Sequence, residues 1–413
     1  MEKHLLILTT THDFLWKFER ENVRLLQQMG YTVHYATNLQ EPAYMSDDDH
    51  FQRMGIQVHP LSIARSPFRL GDNLRALRQL LDLIRQYDIR AIHCHTPVGG
   101  VLGRLAGQLS SKPRPVVLYT AHGFHFYRGA PLWNRLFYYP VERALARYTD
   151  ILIVINEEDY QSAQRLRLKK GGRVYRIPGA GLDRERFQPL SAEHKQAARR
   201  QLQFGPADFF LLSVGELNDN KNHTLVLDAL AQMKRAGDDL STLHYGICGD
   251  GFLHEELQRK IQEAGLENTV TLYGYCSRVP DILGCADASA FPSKREGLGM
   301  AGLESLAMGV PVLAADNRGT REYMRHGQNG LVCPPDDVDS WIAGIRTLRQ
   351  LAPASRETMQ TCCRASVKPF DKTLVRTAMR HIYQEMDQRI QRREQATRAI
   401  HHKTKKGRNL HES

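Results

Sequence analysis

The 413-residue sequence contains no apolar run approaching the roughly 20 residues that a membrane span requires. Its opening, MEKHLLILTTTHDF, carries too short an apolar stretch for a secretion signal. Paired cysteines are missing too. The seven that occur have neither the even count nor the spacing of a disulfide framework or a zinc site, and Cys362 and Cys363 are merely adjacent. These absences predict a reduced, cytosolic protein without structural zinc. Acidic residues are scarce in two places. Residues 51–150 hold 14 Lys/Arg against 5 Asp/Glu, and residues 388–413 hold 8 against 2, so these segments carry +9 and +6 of a net +11 and the rest of the chain is −4. Such clustering fits an anionic partner, either nucleic acid or an anionic membrane, or else a solvated basic face.

At this length about two domains are expected. The first half alternates apolar runs (HLLILTT, TVHYAT, AIHCHT, VVLYTAH, ILIVIN) with helical patterns such as NLRALRQLLDLIRQY and WNRLFYYPVERALARY. The second half repeats the plan with FFLLSVG, LHYGICG, TVTLYGY, ADASAFP and VPVLAAD. Alternation of this kind predicts α/β architecture: two Rossmann-like, doubly wound parallel-sheet domains facing a central cleft, with ligands at the carboxyl ends of the strands. RIPGAGLDRERFQPLS, Arg176 to Ser191, reads as the linker. The expected division is residues 1–185 and 186–370, then a helix over 371–393 returning to the first domain. The basic stretch 394–413 has no apolar face and is expected to be disordered.

The most informative segment is SKREGLGMAGLESLAMGVPVLAAD, Ser293 to Asp316. A strand over Ala286–Phe291, a turn over Gly297–Gly299 and a helix over Met300–Met308 would present bare backbone and free helix N–H groups, a setting for phosphate. Glu296 and Glu304 repel phosphate; hydroxyl groups suit them, and a ligand with phosphate and many hydroxyls is a sugar nucleotide. The bland alternative is a glycine turn with two solvated glutamates. The loop of LLSVGELNDNKNHTLVLDAL, from Gly215 past Asn218 to Lys221, places a lysine at a helix start, against the helix dipole, which a bound diphosphate would reconcile. Solvation is the other reading. Gly249 and Gly251 match only the start of a dinucleotide fingerprint, with His254 at the third glycine position, so no nicotinamide or flavin is expected.

Histidines mark two strand ends: His93 and His95 in IHCHTP, and His122 and His125 in TAHGFHFYRG. No carboxylate or cysteine set completes a metal site, and SDDDH, Ser46 to His50, reads as a loop. His122, ending a buried strand before Gly123, is the strongest candidate for chemistry. From Phe126 to Tyr148, Trp133, Phe137, Tyr138 and Tyr139 are mixed with Arg128, Arg135, Arg143 and Arg147. That mixture suits either a membrane surface or a helix packed on the sheet.

Together these motifs resemble the retaining GT-B glycosyltransferases of the family-four type, including bacterial exopolysaccharide and capsule enzymes. The resemblance runs from LLILTT to about Met386, and its most specific element is the pair of glutamates separated by seven residues. It implies a metal-independent hexosyl or N-acetylhexosaminyl transfer, without cofactor, from a UDP-linked sugar to an undecaprenyl-diphosphate-linked saccharide. The enzyme would act on the inner face of the cytoplasmic membrane as a peripheral protein. By position, Glu296 would hold donor-sugar hydroxyls and Glu304 the ribose diol. Lys221 and the amides of Gly297, Leu298, Gly299 and Met300 would receive the diphosphate, with Gly215 and Asn218 shaping the site. Tyr275, Arg278 and Val279 would flank the base, and His122 would sit at the reaction centre. His95, His125, Arg128, Trp133 and Arg135 are candidates for acceptor or membrane contact. One departure is that Glu216 follows Gly215 where many relatives carry arginine, so that either Lys221 acts without its usual partner or Arg295 or Arg321 substitutes. The alternatives are a nucleotide-sugar epimerase of the same fold or a nucleic-acid-binding protein using the basic tail.

Overall fold

The computed structural model describes residues 2–40 and 48–409. The chain forms two compact units, Met1–Ala180 with the segment from Thr373 onward, and Gly181–Lys372.

The first unit carries β1 (Lys3–Leu8), β2 (Tyr31–Thr37), β3 (Gln57–Pro60), β4 (Ala91–His95), β5 (Val116–Ala121), β6 (Ile151–Val154) and β7 (Arg173–Arg176). They form a parallel sheet in the order β3-β2-β1-β4-β5-β6-β7. Leu5 through Leu8 are fully buried, as expected of a parallel strand covered on both faces. The second unit carries β8 (Phe209–Val214), β9 (Leu243–Cys248), β10 (Val270–Gly274), β11 (Ala288–Phe291), β12 (Val312–Ala315) and β13 (Gly330–Cys333), ordered β10-β9-β8-β11-β12-β13. These strands too are all parallel. The order of strands reverses between β1 and β4 in one sheet and between β8 and β11 in the other. Loops leaving such a pair diverge to opposite faces and open a crevice at the carboxyl ends.

The ten apolar runs read from the sequence are all strands, although the run expected from Ala286 begins at Ala288. The three strands not anticipated, β3, β7 and β13, are four-residue edge strands that are partly exposed, so no continuous apolar run betrays them. The unit boundary falls at Ala180/Gly181 rather than 185/186, because Leu182 already pairs with Asp371 across the second unit.

A larger correction concerns the C-terminus. The final helix spans Lys372–Asn409, so the expected disorder from 394 is replaced by helix as far as the description extends, and 410–413 lie outside the described residues. From 372 to 406 the sequence has neither glycine nor proline. Polar contacts also tie this helix to the first unit. Asp387 meets Lys3 at 2.8 Å and Tyr31 at 2.6 Å, Arg393 donates to the Pro115 carbonyl at 2.6 Å, and Glu394 lies 3.7 Å from Arg90. The SDDDH loop expectation falls partly outside the described residues; from Asp48 to Arg53 the backbone is helical.

Candidate active site

In the second unit two loops meet at the switch point. One leaves β8 and the other leaves β11, and Lys221 Nζ reaches Glu296 Oε1 at 2.6 Å between them. Lys221 lies in the turn before the helix His223–Arg235 rather than at its start, and Asn222, in the left-handed conformation (φ 56°), opens that helix. The turn is held by its asparagines. Asn218 accepts from the Lys221 N–H at 3.0 Å through its side chain, Asn220 donates to the Arg295 carbonyl at 2.9 Å, and Asn222 donates to the Pro335 carbonyl at 2.9 Å. These bonds fix the lysine against the glutamate loop, with the Phe291 ring 5.5 Å from its ammonium.

Glycine is required where the loops crowd. A Cβ on Gly249 would stand 1.8 Å from the Gly215 carbonyl oxygen, and one on Gly251 would stand 2.4 Å from that of Leu217. Their purpose is therefore to let the β8 and β9 loops touch. Gly299 (φ 87°) precedes the helix Met300–Ala307, whose N-terminus receives no side-chain cap; of its first turn, the Gly302 N–H bonds to the Gly299 carbonyl at 3.2 Å. On that helix, burial pushes the Glu304 carboxyl up to about 7, with Arg186 and Lys221 partly offsetting the effect. Tyr275, half exposed, and Arg278, ion-paired with Asp281 at 3.1 Å, follow β10, with Val279 opening the short helix Val279–Leu283. The expected donor residues thus lie on the loops that leave β8, β10 and β11 or at the starts of the helices after them, except Glu304, which sits midway along the helix Met300–Ala307.

Of the two arginines expected to stand in for the missing partner of Lys221, Arg295 follows β11 in the same loop as Glu296, its carbonyl bonded by Asn220 at 2.9 Å. Arg321 is half exposed and pairs with Asp316 at 2.7 Å. The buried Arg318, which the sequence reading did not single out, donates to the Glu296 carbonyl at 3.2 Å. Asn317 beside it donates to the Ser293 carbonyl at 2.8 Å. The clue in the sequence was the loop DNRG directly following a buried strand.

The first unit has a polar cluster at its own switch point. His95 ends β4, His122 follows β5, and Nδ1 of His95 lies 3.1 Å from Nε2 of His122. Burial depresses the His122 imidazole to about 4, so the ring is neutral. Glu19, on the segment leaving β1, brings Oε1 to 3.6 Å from His95 Nδ1. Nothing in the local sequence marked Glu19. It supplies a carboxylate beside these histidines, and Glu19, His93 and His95 offer ligand atoms within 4.8 Å of one another. His93, however, has both ring nitrogens engaged, with Thr120 at 2.8 Å and Tyr383 at 3.1 Å, which fits a hydrogen-bonded core histidine better than a metal ligand.

The other expected acceptor residues make different contacts. His125 stacks on Tyr138 at 4.4 Å. Arg128 and Arg135 line a cavity of about 330 Å³ with Phe126, Tyr139, Glu158 and Arg165. A larger cavity of about 530 Å³, bordered by Lys169, Gly172 and Arg173, opens where β7 begins, away from the carboxyl ends of the strands. Trp133 is 80% exposed on the helix Leu132–Ala146. That helix buries Glu142 in a bidentate pair with the buried Arg104, at 2.6 and 3.1 Å.

Both units match known protein families. Residues 17–180 match the glycosyl transferase 4-like domain, and residues 194–361 match glycosyl transferases group 1. EpsD of Bacillus subtilis (strain 168), a glycosyltransferase by name, is 39% identical over 84% of this chain and 88% of its own. The UDP-Gal:alpha-D-GlcNAc-diphosphoundecaprenol alpha-1,3-galactosyltransferase of Escherichia coli is 27% identical over 66% of this chain and 70% of its own. Among solved structures, Anabaena HepE in complex with UDP and glucose superposes with a TM-score of 0.73 at 18% identity, covering 93% of this chain and 100% of HepE, a likeness of fold. The chain belongs to the GT-B glycosyltransferases of the group 1 and 4-like type, related to those of exopolysaccharide and lipid-linked saccharide synthesis.

Proposed function

We propose that the protein transfers a hexose or N-acetylhexosamine from a UDP-sugar to an undecaprenyl-diphosphate-linked saccharide, with retention of anomeric configuration and without a divalent metal. The observation that carries this reading is the Lys221–Glu296 contact of 2.6 Å at the β8/β11 switch point, beside an uncapped helix N-terminus. As the glycosidic bond breaks, negative charge grows on the departing diphosphate. Lys221 and the amides of Gly297 to Met300 meet that charge with fixed donors, the arrangement that lowers a barrier most effectively. Glu296 then holds hydroxyls of the donor sugar, and Glu304 holds the ribose diol. Tyr275, Arg278 and Val279 border the base. His122, neutral in its buried setting, acts as a hydrogen-bond group toward the transferred sugar.

The acceptor side rests on the relatives and on one surface. The Escherichia coli relative is named for a diphosphoundecaprenol-linked acceptor. On this chain Leu132, Trp133, Leu136 and Phe137 are exposed on one helix. Phe68, 77% exposed, brings its ring within 6.0 Å of Phe137, and Leu70 and Leu74 follow it on the helix Leu70–Gln86. Arg69 and Arg75, which share Asp72 at 2.7 and 3.7 Å, neighbour Phe68, Leu70 and Leu74 in the chain, and Arg128 and Arg135 neighbour Trp133, a combination that favours the anionic surface of a bilayer. Among the described residues no helix is long and apolar enough to cross a membrane.

The relatives named above are transferases or carry transferase domains, and none of them supports the epimerase alternative. The test is nucleotide release from a panel of UDP-, GDP- and ADP-sugars, in EDTA, with a lipid-diphosphate saccharide present or withheld. Acceptor-dependent release from one donor, with the product anomer matching the donor, is the expected result. Release that requires added metal, or an inverted product, would overturn the corresponding part.

A further inference from the structure

Glu19 plays no part in the donor chemistry, yet it is a carboxyl group only 4% exposed at the switch point of the first sheet. It closes a π-helical turn, Leu15–Glu19, a local irregularity that recurs at functional positions. Asn22 Nδ2 donates to its Oε2 at 2.7 Å, which orients the carboxyl group and leaves Oε1 facing His95 Nδ1 at 3.6 Å. The same His95 nitrogen lies 3.1 Å from Nε2 of His122, while the other His95 nitrogen, Nε2, is buried without a hydrogen-bond partner. Phe14 packs beside both rings, with centroids 5.4 Å from His95 and 5.0 Å from His122. The placement of the proton between the two imidazoles is therefore governed by what else stands at His95 Nδ1, and Glu19 stands there.

We propose that Glu19 is a positioning residue: acting through His95, it sets the tautomer and ring orientation of His122. The consequence for catalysis rests on the reading of His122 as the group facing the transferred sugar; the coupling itself does not.

The groups around Glu19 make its effect separable. His93 and His95 face it from β4 and Tyr383 from the C-terminal helix, while His122, at the end of β5, is reached through His95. On its own segment Asp13 pairs with Lys17 at 2.6 Å, Glu21 with Arg24 at 2.8 Å, and Arg20 stacks 4.9 Å from Trp16. Burial depresses His93 to about 3 and His122 to about 4, lowers His95 well below its ordinary value and raises Tyr383 well above its own. Glu19 is pushed up to about 8 by burial, against the lowering effect of Asn22. Within the cluster, Glu19 is thus the group that changes charge between about pH 6 and 9. Once ionised, its carboxylate draws the N–H onto Nδ1 of His95. That N–H donates to Nε2 of His122, which leaves the proton of His122 on its own Nδ1.

The test uses full-length protein labelled with 15N-histidine. The ring-nitrogen signals of His122 are assigned by their loss in His122→Gln and followed from about pH 6 to 9. In the wild type these signals are expected to change with a midpoint near 8, reporting one tautomer giving way to the other. Glu19→Gln, which keeps shape and hydrogen bonding but cannot ionise, is expected to abolish that step, and Glu19→Ala to give a tautomer mixture. No step in the wild type, or the same step in Glu19→Gln, overturns the proposal, and the Gln variant suffices should the Ala variant fail to fold. Sugar transfer by His122→Gln separates the two ideas. Transfer that persists while the Glu19-dependent step is seen sinks the catalytic reading of His122 alone. Transfer that is lost while His122 ignores Glu19 sinks the coupling alone.

Discussion

At the scale of single residues, the proposed chemistry depends on a few side chains whose neighbours hold them still. Lys221 is fixed by Asn218 and paired with Glu296, both within a partly buried loop contact. Lys221→Ala and Glu296→Ala are each expected to lower kcat by about 100-fold or more, the usual loss when a preorganised transition-state contact is removed. Their thermal unfolding should stay close to wild type, and retained turnover in either variant would refute the assignment. Glu19 gives a prediction about stability. Its carboxyl is raised from 4.5 to about 8 in the folded chain, so between those values the native state binds the extra proton and stability falls as pH rises. Glu19→Gln removes that dependence. The Tm advantage of the variant is expected to be small near pH 4.5, to grow toward pH 8 and then to level off; a constant Tm difference across that range would show that the group is not buried as described. Of these residues, Lys221 and Glu296 could be found from sequence because each sits in a short motif after an apolar strand. Arg318 carried the weaker signal of a polar loop after an apolar strand, and Glu19 carried none, because its significance comes from a chain segment distant in sequence.

At the scale of elements, two contacts decide whether the loops and helices around the sites hold their shape. Gly249 lets the β9 loop touch the β8 loop, and its φ of 156° lies at the edge of the range that side chains avoid. Gly249→Ala is expected to push the Gly215 carbonyl aside and weaken nucleotide binding by about 10-fold or more, measured by calorimetry with UDP, while leaving the first unit intact. In the first unit, Arg104 and Glu142 join the helices Pro97–Leu109 and Leu132–Ala146 by a buried, bidentate pair, with Arg104 also 4.2 Å from the centre of the Tyr119 ring. Glu142→Gln leaves a buried guanidinium without its charge partner and is expected to destabilise by about 3–5 kcal/mol in denaturant unfolding. The double variant Arg104→Met/Glu142→Leu should be milder, since it leaves neither charge stranded. A double variant as damaging as the single would show that shape, not charge, holds these helices.

At the scale of the whole molecule, the apolar runs made both sheets readable, since strands buried on both faces are written as nearly continuous Val, Leu, Ile and Ala. The mixed patch of exposed aromatics and arginines leads to a prediction for the intact protein. Wild type is expected to sediment with anionic vesicles at low salt, and release should follow rising ionic strength. Trp133→Ser/Phe137→Ser should lose most of that binding while keeping nucleotide affinity, and vesicle binding indifferent to both would remove the membrane from the proposal. The sequence alone settled that the chain has two parallel α/β units. It also placed a glutamate pair, a lysine and a glycine-rich turn at strand ends, because apolar periodicity and local turn chemistry are properties of adjacent residues. Tertiary structure decided the rest. It set the strand order that puts the switch points at β1/β4 and β8/β11, the seating of the C-terminal helix on the first unit, and the meeting of Lys221 with Glu296 and of Glu19 with His95. Each of these is a contact between segments tens of residues apart, fixed by how the strands are ordered and buried rather than by any local pattern.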